Sequence, residues 1–156
     1  MDIDPFEIPP HVTGFGVDPL PHEVEARRQS FVSWVRALAT ALDSTVAELP
    51  LGDPMPSFDT VRLDRVDLWL LHNRFEPLVG VLTIAPAPGN AWAVAGEWVD
   101  LDLPEHVKGW GPTPLAANVL NAPIGNALDG LNIGAREQAD SYKPQTIGNL
   151  IFNFWT

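Results

Sequence analysis

VRLDRVDLWLLHNRFEPLVGVLTIAPAPGNAWAVAGEWVDLDL, residues 61–103, sets the architecture of this chain. Only here do long apolar runs, rich in β-branched and aromatic residues, follow one another closely. The segments that join these runs are too short for a parallel crossover, which needs about a dozen residues or more. The sequence therefore predicts a meander of antiparallel strands over residues 58–103.

The first runs of this meander differ in character. Residues 61–71 begin as an apolar and polar alternation and then become wholly apolar. That pattern fits either one long strand or two strands with a bulge near Asp64 or Arg65. Residues 78–84 are apolar almost throughout, which indicates a central strand that is covered on both faces.

The last run of the meander is amphipathic. Residues 91–95 and 97–103 are predicted to form one strand with a bulge or bend at Gly96. Alternation places one set of side chains inward and directs the other set toward solvent. The outward set is Trp98, Asp100 and Asp102.

Helical spacing precedes the meander. Apolar residues recur at intervals of seven, four, three and four, at Val24, Phe31, Val35, Leu38 and Leu42. This periodicity predicts a helix over residues 22–42 that packs on the sheet. A further short helical turn through residues 43–49 would end at Pro50, so the whole of 22–49 is predicted to be helical.

The two ends of the chain are also distinctive. Residues 1–21 contain five prolines together with several apolar side chains, which predicts an extended arm lying across the domain or pairing with another subunit. Residues 104–156 are predicted to be mainly helical, and Thr146 is the expected N-cap of an apolar closing helix. The chain is therefore expected to be one α+β domain: an N-terminal helix, an antiparallel β-meander of three to five strands, and C-terminal helices packed on one face.

Composition narrows the function classes. The 156 residues include no cysteine and carry a formal net charge of −11, with ten acids against three arginines in residues 1–60. Such a charge disfavours nucleic acid and anionic membranes and favours a basic protein partner, although it also serves solubility. No apolar run approaches the ~20 residues of a membrane span, and no signal peptide is visible, so a cytoplasmic location is expected.

The sequence EWVDLDLPEH, residues 97–106, contains the most suggestive polar cluster. Two carboxylates on one strand face, about 7 Å apart, could hold a cation or act as an acid and base pair, but the same spacing is common on solvated strands. Acids interleaved with tryptophan also suit a surface that receives Lys and Arg side chains. The predicted partner-binding residues are Trp98, Asp100, Asp102, Glu105, His106 and Trp110.

Other polar residues offer weaker signals. The four histidines lack metal-ligand spacing, the serines lack a nucleophile motif, and no glycine pattern resembles a phosphate loop. We therefore predict no catalytic residue, metal or cofactor. His72 is the best single candidate for a general base, although a structural turn histidine is the commoner arrangement. The loop containing Arg136 would either form a ligand pocket or tie the closing helix to the sheet.

These patterns favour a non-enzymatic acidic protein-binding domain, of the kind formed by immunity or antitoxin inhibitors that neutralise a basic partner. One alternative is a structural subunit of a homo-oligomer that assembles through the N-terminal arm or the C-terminal helix. The other alternative is a small hydrolase that uses the acidic cluster, with or without the Arg136 loop.

Overall fold

A computed structural model describes residues 21–48, 58–89, 92–131 and 133–153 of the chain. Of the predicted arm at residues 1–21, residues 1–20 lie outside the described residues and Pro21 is already helical; Phe154 and Trp155 of the closing segment also lie outside them. The helices are α1 (Pro21–Ala41), α2 (Ala117–Leu120), α3 (Ile133–Tyr142) and α4 (Ile147–Ile151). The strands are β1 (Val46–Glu48), β2 (Phe58–Leu63), β3 (Leu68–Asn73), β4 (Leu78–Leu82) and β5 (Thr113–Pro114). Short 3-10 turns occur at Glu105–Val107 and Ala127–Gly130.

The strands form one sheet in the order β1-β2-β3-β4-β5. Strands β1 to β4 are antiparallel neighbours in chain order, whereas β5 pairs in parallel with β4. The α+β class is confirmed, with an N-terminal helix before the sheet and C-terminal helices after it. None of the helices in the described ranges is both long and apolar enough to cross a membrane.

Side-chain alternation divides the sheet between two apolar cores. On one face, strand residues such as Val61, Leu70 and Val81 pack against α1. On the other face, Leu71 and Leu82 pack with side chains of the C-terminal helices, which include Leu120, Leu150 and Ile151. All five residues of β4 are buried, as its continuous apolarity indicated. Both faces of the sheet are therefore covered by helices.

Helix α1 confirms the periodicity seen in the sequence. Its buried side chains follow the i, i+3, i+4, i+7, i+8 pattern of a single helical face. They are Phe31, Trp34, Val35, Leu38 and Ala39. The helix ends at Ala41, after which Asp43 adopts a left-handed conformation with φ of 53° and the Ser44 N–H donates to the Ala39 carbonyl at 2.8 Å. This reversal sends the chain into β1.

Two predictions at the start of the sheet are corrected. Residues 43–48, the described part of the predicted helical turn, are not helical, because the chain turns at Asp43 and residues 46–48 then pair with β2 as strand β1. The long run over residues 61–71 is neither one strand nor a bulged pair. Residues 64–67 instead form a turn between β2 and β3, in which Asp67 is left-handed at φ of 51°.

The predicted final strand is also wrong. The described residues of 83–103 form only isolated bridges, at Pro88, Ala93, Val94 and Trp98. Trp92 and Gly96 have positive φ values, of 52° and 119°, which break the extended backbone that a continuous strand requires. The meander therefore ends at Leu82, and the outer edge of β4 is shared by residues 98–99 and by β5.

The C-terminal third is less helical than predicted. Glycine and proline restrict α2 to four residues and leave 3-10 turns and loops around it. Helix α4 does begin after Thr146, whose hydroxyl accepts from the Asn149 N–H at 3.2 Å while the Asn149 side chain accepts from the Thr146 N–H at 3.2 Å. This capping box fixes a short helix whose apolar side chains are docked on the sheet of the same chain.

Candidate functional site

The acidic segment lies at the edge of the sheet, beyond β4. Trp98 forms an isolated bridge with Leu82, and the Val99 N–H donates to the Val81 carbonyl at 3.0 Å. Residues 100–103 then leave the sheet and lead into the 3-10 turn at Glu105–Val107. The Trp34 indole N–H, from α1, donates to the Val107 carbonyl at 3.1 Å and anchors that turn.

Trp98 does not point outward, so the predicted orientation of this side chain is wrong. It is 6% exposed, and its ring centroid lies 5.0 Å from that of Phe152. The indole fills space left by two glycines, because a Cβ atom at Gly80 or at Gly148 would lie 2.5 Å from a Trp98 atom. A glycine inside an apolar strand is the sequence signal that could have indicated this close approach.

The other five predicted partner-binding residues remain on the surface. They are Asp100, Asp102, Glu105, His106 and Trp110. Asp100 has a structural task, since its Oδ1 accepts the N–H of Ala117 at the start of α2 at 2.8 Å. Glu105 forms an ion pair with Lys108 at 3.0 Å, and the Trp110 indole N–H donates to the His106 carbonyl at 2.9 Å. Asp102 has no hydrogen bond or ion pair with any described residue.

Asp100 and Asp102 line an open groove with a volume of about 610 Å³. One wall consists of residues 100–103 and the opposite wall of residues 114–116. The lining is Val81, Asp100, Leu101, Asp102, Leu103, Lys108, Gly109, Pro114, Leu115 and Ala116. Apolar side chains thus alternate with two carboxylates, and Lys108 is the lining cation.

The segment predicted as the Arg136 loop is helical, since Arg136 lies in α3, and it does not contribute to this groove. Arg136 donates to Asp129 at 3.1 Å, and both side chains are more than half exposed. This pair links α3 to the preceding 3-10 turn rather than to the sheet. None of residues 136–143 lines the groove, so the acidic cluster and this segment do not form a common pocket within the described residues. In the same ranges, no three His, Asp or Glu side chains converge to hold a metal ion.

A buried ionic cluster between α1 and the sheet was not predicted from sequence. Asp59 of β2 accepts from Arg74 Nε at 3.0 Å and from two nitrogens of Arg28, each at 3.3 Å. Asp59 is 5% and Arg74 8% exposed. The three residues come from a helix, a strand and a loop, separated by up to 46 positions from Arg28 to Arg74. No local motif marks such a cluster.

His72 lies beside this cluster and serves the core rather than the surface. Its ring stacks on Phe31 of α1 with centroids 4.5 Å apart, and it is 1% exposed. Its Nδ1 atom has no hydrogen-bond partner among the described residues. Burial lowers the pKa of His72 to about 4; the Asp59 carboxylate opposes this shift, whereas Arg27 and Arg28 reinforce it. The imidazole is therefore neutral near pH 7.

Acidification should destabilise the protein through His72. Below pH 6.5 His72 becomes protonated in the unfolded protein, whereas in the folded protein it stays neutral until about pH 4. The free energy of unfolding therefore falls as the pH is lowered from 6.5 to 4, by up to about 3 kcal/mol. Chemical denaturation at successive pH values would measure how steeply the free energy of unfolding changes with pH, which is the slope of interest. His72→Phe, which keeps the aromatic stack, should flatten it. Identical slopes in the two proteins would exclude His72 as its source.

Comparison with known proteins finds no family model, curated protein or solved structure that matches this chain. Function is therefore inferred from side-chain chemistry, surface charge and the shape of the groove.

Proposed function

We propose that this chain is a non-enzymatic acidic domain that binds a basic protein partner, in the manner of an immunity-type inhibitor. The observation that carries the proposal is the groove at the sheet edge. It combines apolar side chains, such as Leu101 and Leu103, with the exposed carboxylates of Asp100 and Asp102, and Glu105 and Trp110 are exposed in the segment that follows. We call the surface formed by residues 100–110 and 114–116 the acidic face.

The chemistry of the acidic face supports association rather than catalysis. Asp102 has no counter-ion among the described residues, so a Lys or Arg of the partner would be its first ion pair. The whole-chain charge of −11 would accelerate encounter with a basic surface. Trp110, at 43% exposed, offers aromatic contact area of the kind enriched at protein interfaces.

The double variant Asp102→Asn with Glu105→Gln tests this proposal. Purified wild type and variant are used as baits in lysate of cells that naturally produce the chain, at low and moderate salt. We expect the wild type to retain a basic protein that is released as salt rises, because charge pairs at the rim are screened. The variant removes the carboxylate charge of Asp102 and leaves Lys108 without Glu105 opposite a basic partner, so binding should weaken by about three- to tenfold.

A matched control changes the same charges elsewhere. The control is the double variant Asp140→Asn with Glu137→Gln. Both residues belong to α3, which packs on the opposite face of the sheet from α1. This control should bind the partner as the wild type does. Equal retention by all three baits, or no salt-sensitive basic partner at all, would count against the proposed function.

A second candidate is a subunit of a homo-oligomer. Ile84 and Trp92 are 54% and 58% exposed, in a segment without a charged residue between Pro77 and Gly96. Exposed apolar patches of this kind often mark association sites. Light scattering of the full chain distinguishes the candidates: a closed assembly that Trp92→Ser disrupts would favour this one, whereas a monomer would exclude it.

A further inference from the structure

The backbone of residues 100–103 makes no hydrogen bond with another described residue. The Val99 N–H still donates to Val81, but the chain then diverges from β4. No backbone hydrogen bond among the described residues involves positions 100–103; the next one joins the Val107 N–H to the Pro104 carbonyl at 3.0 Å. Unpaired strand-like edges are templates for pairing with another chain. This segment therefore has main-chain donors and acceptors available at the wall of the groove.

The side chains of the same segment alternate as they do in an extended strand. Val99, Leu101 and Leu103 pack against the core on the α1 face, whereas Asp100 and Asp102 are exposed. In extended chains, alternate side chains stand on one face about 7 Å apart. A paired strand would place its own alternate side chains opposite these two carboxylates, at Cβ separations of about 5 Å.

We infer that the acidic face binds its partner as an extended segment with Lys or Arg at alternate positions, added as a strand beside residues 100–103. This inference rests on the proposed function and specifies its ligand. Charge complementarity favours a basic ligand. Asp102 lacks an ion pair among the described residues, and Lys108, the lining cation, is already paired with Glu105. The intervening apolar side chains of the ligand would lie along Leu101 and Leu103. Main-chain pairing would supply affinity, and the alternate carboxylates would supply specificity.

Three hexapeptides of equal charge test the inference against the full chain. The first alternates Lys and Val, the second has three Lys followed by three Val, and the third is the alternating peptide with every backbone nitrogen methylated. Binding is measured by Trp fluorescence and by amide hydrogen exchange. The alternating peptide should bind about tenfold more tightly than either of the others, because only it pairs backbone and charge together. Exchange at residues 100–103 should slow on its addition.

Variants of the protein locate the site and separate the two proposals. Asp102→Asn should weaken the alternating peptide by about threefold, and Asp140→Asn should leave it unchanged. Suppose that the peptide of three Lys followed by three Val, or the methylated peptide, binds as tightly as the alternating one and that its binding still depends on Asp102. Strand addition is then overturned while the proposed function stands. If no peptide responds to Asp102→Asn and the lysate experiment also finds no basic partner, both proposals fail.

Discussion

Asp59→Ala is expected to lower the free energy of unfolding by about 3 to 5 kcal/mol, since it leaves a buried guanidinium without its counter-ion. Arg74 is 8% exposed and donates to Asp59 at 3.0 Å, and Arg28 approaches the same carboxylate from α1. The substitution removes the anion that lies between two cations. It therefore weakens the contact of α1 with β2 as well as the loop after β3.

Urea denaturation followed by tryptophan fluorescence measures this loss. Asp129→Ala is the matched control, because it breaks the exposed pair with Arg136 and should cost no more than about 1 kcal/mol. Replacing Asp59 and Arg74 together by Leu and Met should recover part of the stability by removing the unpaired charge. A loss for Asp59→Ala as small as that of the control would contradict a buried ionic contact.

Trp98→Ala is expected to destabilise the fold by about 3 to 5 kcal/mol, even with no partner present, because it opens a large cavity in the core. The indole is 6% exposed and lies against Phe152, above the backbone of Gly80 and Gly148. Gly80 and Gly148 have no side chain that could move into the space, so the cavity would not close fully. The effect should appear as an earlier unfolding midpoint.

Trp110→Ala provides the comparison, since this tryptophan is 43% exposed and belongs to the acidic face. Its unfolding midpoint should change little, while binding to the acidic face should weaken. Thermal unfolding and peptide titration of both variants separate the two roles. An unchanged unfolding midpoint for Trp98→Ala, together with lost binding, would contradict the burial of Trp98 and would indicate the exposed position that its sequence pattern predicts.

Several elements could be predicted because their signal is local. In α1, one apolar face at helical spacing had to be buried, and the sheet provides the matching surface. In β4, unbroken apolarity required cover on both faces, and both are covered. Thr146 could be recognised as an N-cap, since the capping interaction involves groups only three residues apart.

Other features required the whole fold. Alternation over residues 97–103 correctly separated Asp100 and Asp102 from Leu101, but it could not reveal that a pocket above Gly80 would bury Trp98. The ionic cluster joins Arg28, Asp59 and Arg74, whose proximity depends on the docking of α1 against β2. Likewise, whether residues 100–103 pair with β4 depends on competition with β5 for the same edge.

The difference between the features that could be predicted and those that could not has a physical reason. Periodicity and capping are properties of neighbouring residues, so helix α1, strand β4 and the charge of −11 could be read from the chain alone. Other features depend on which surfaces meet in the folded protein. These are the burial of Trp98, the pairing of charges that are distant in sequence, and the lack of hydrogen bonds along residues 100–103 within the described part of the chain. The acidic residues of the groove were thus visible in the sequence. That their backbone makes no hydrogen bond with other described residues, and that apolar side chains lie beside them, results from the way residues 98–116 pack along the edge of β4.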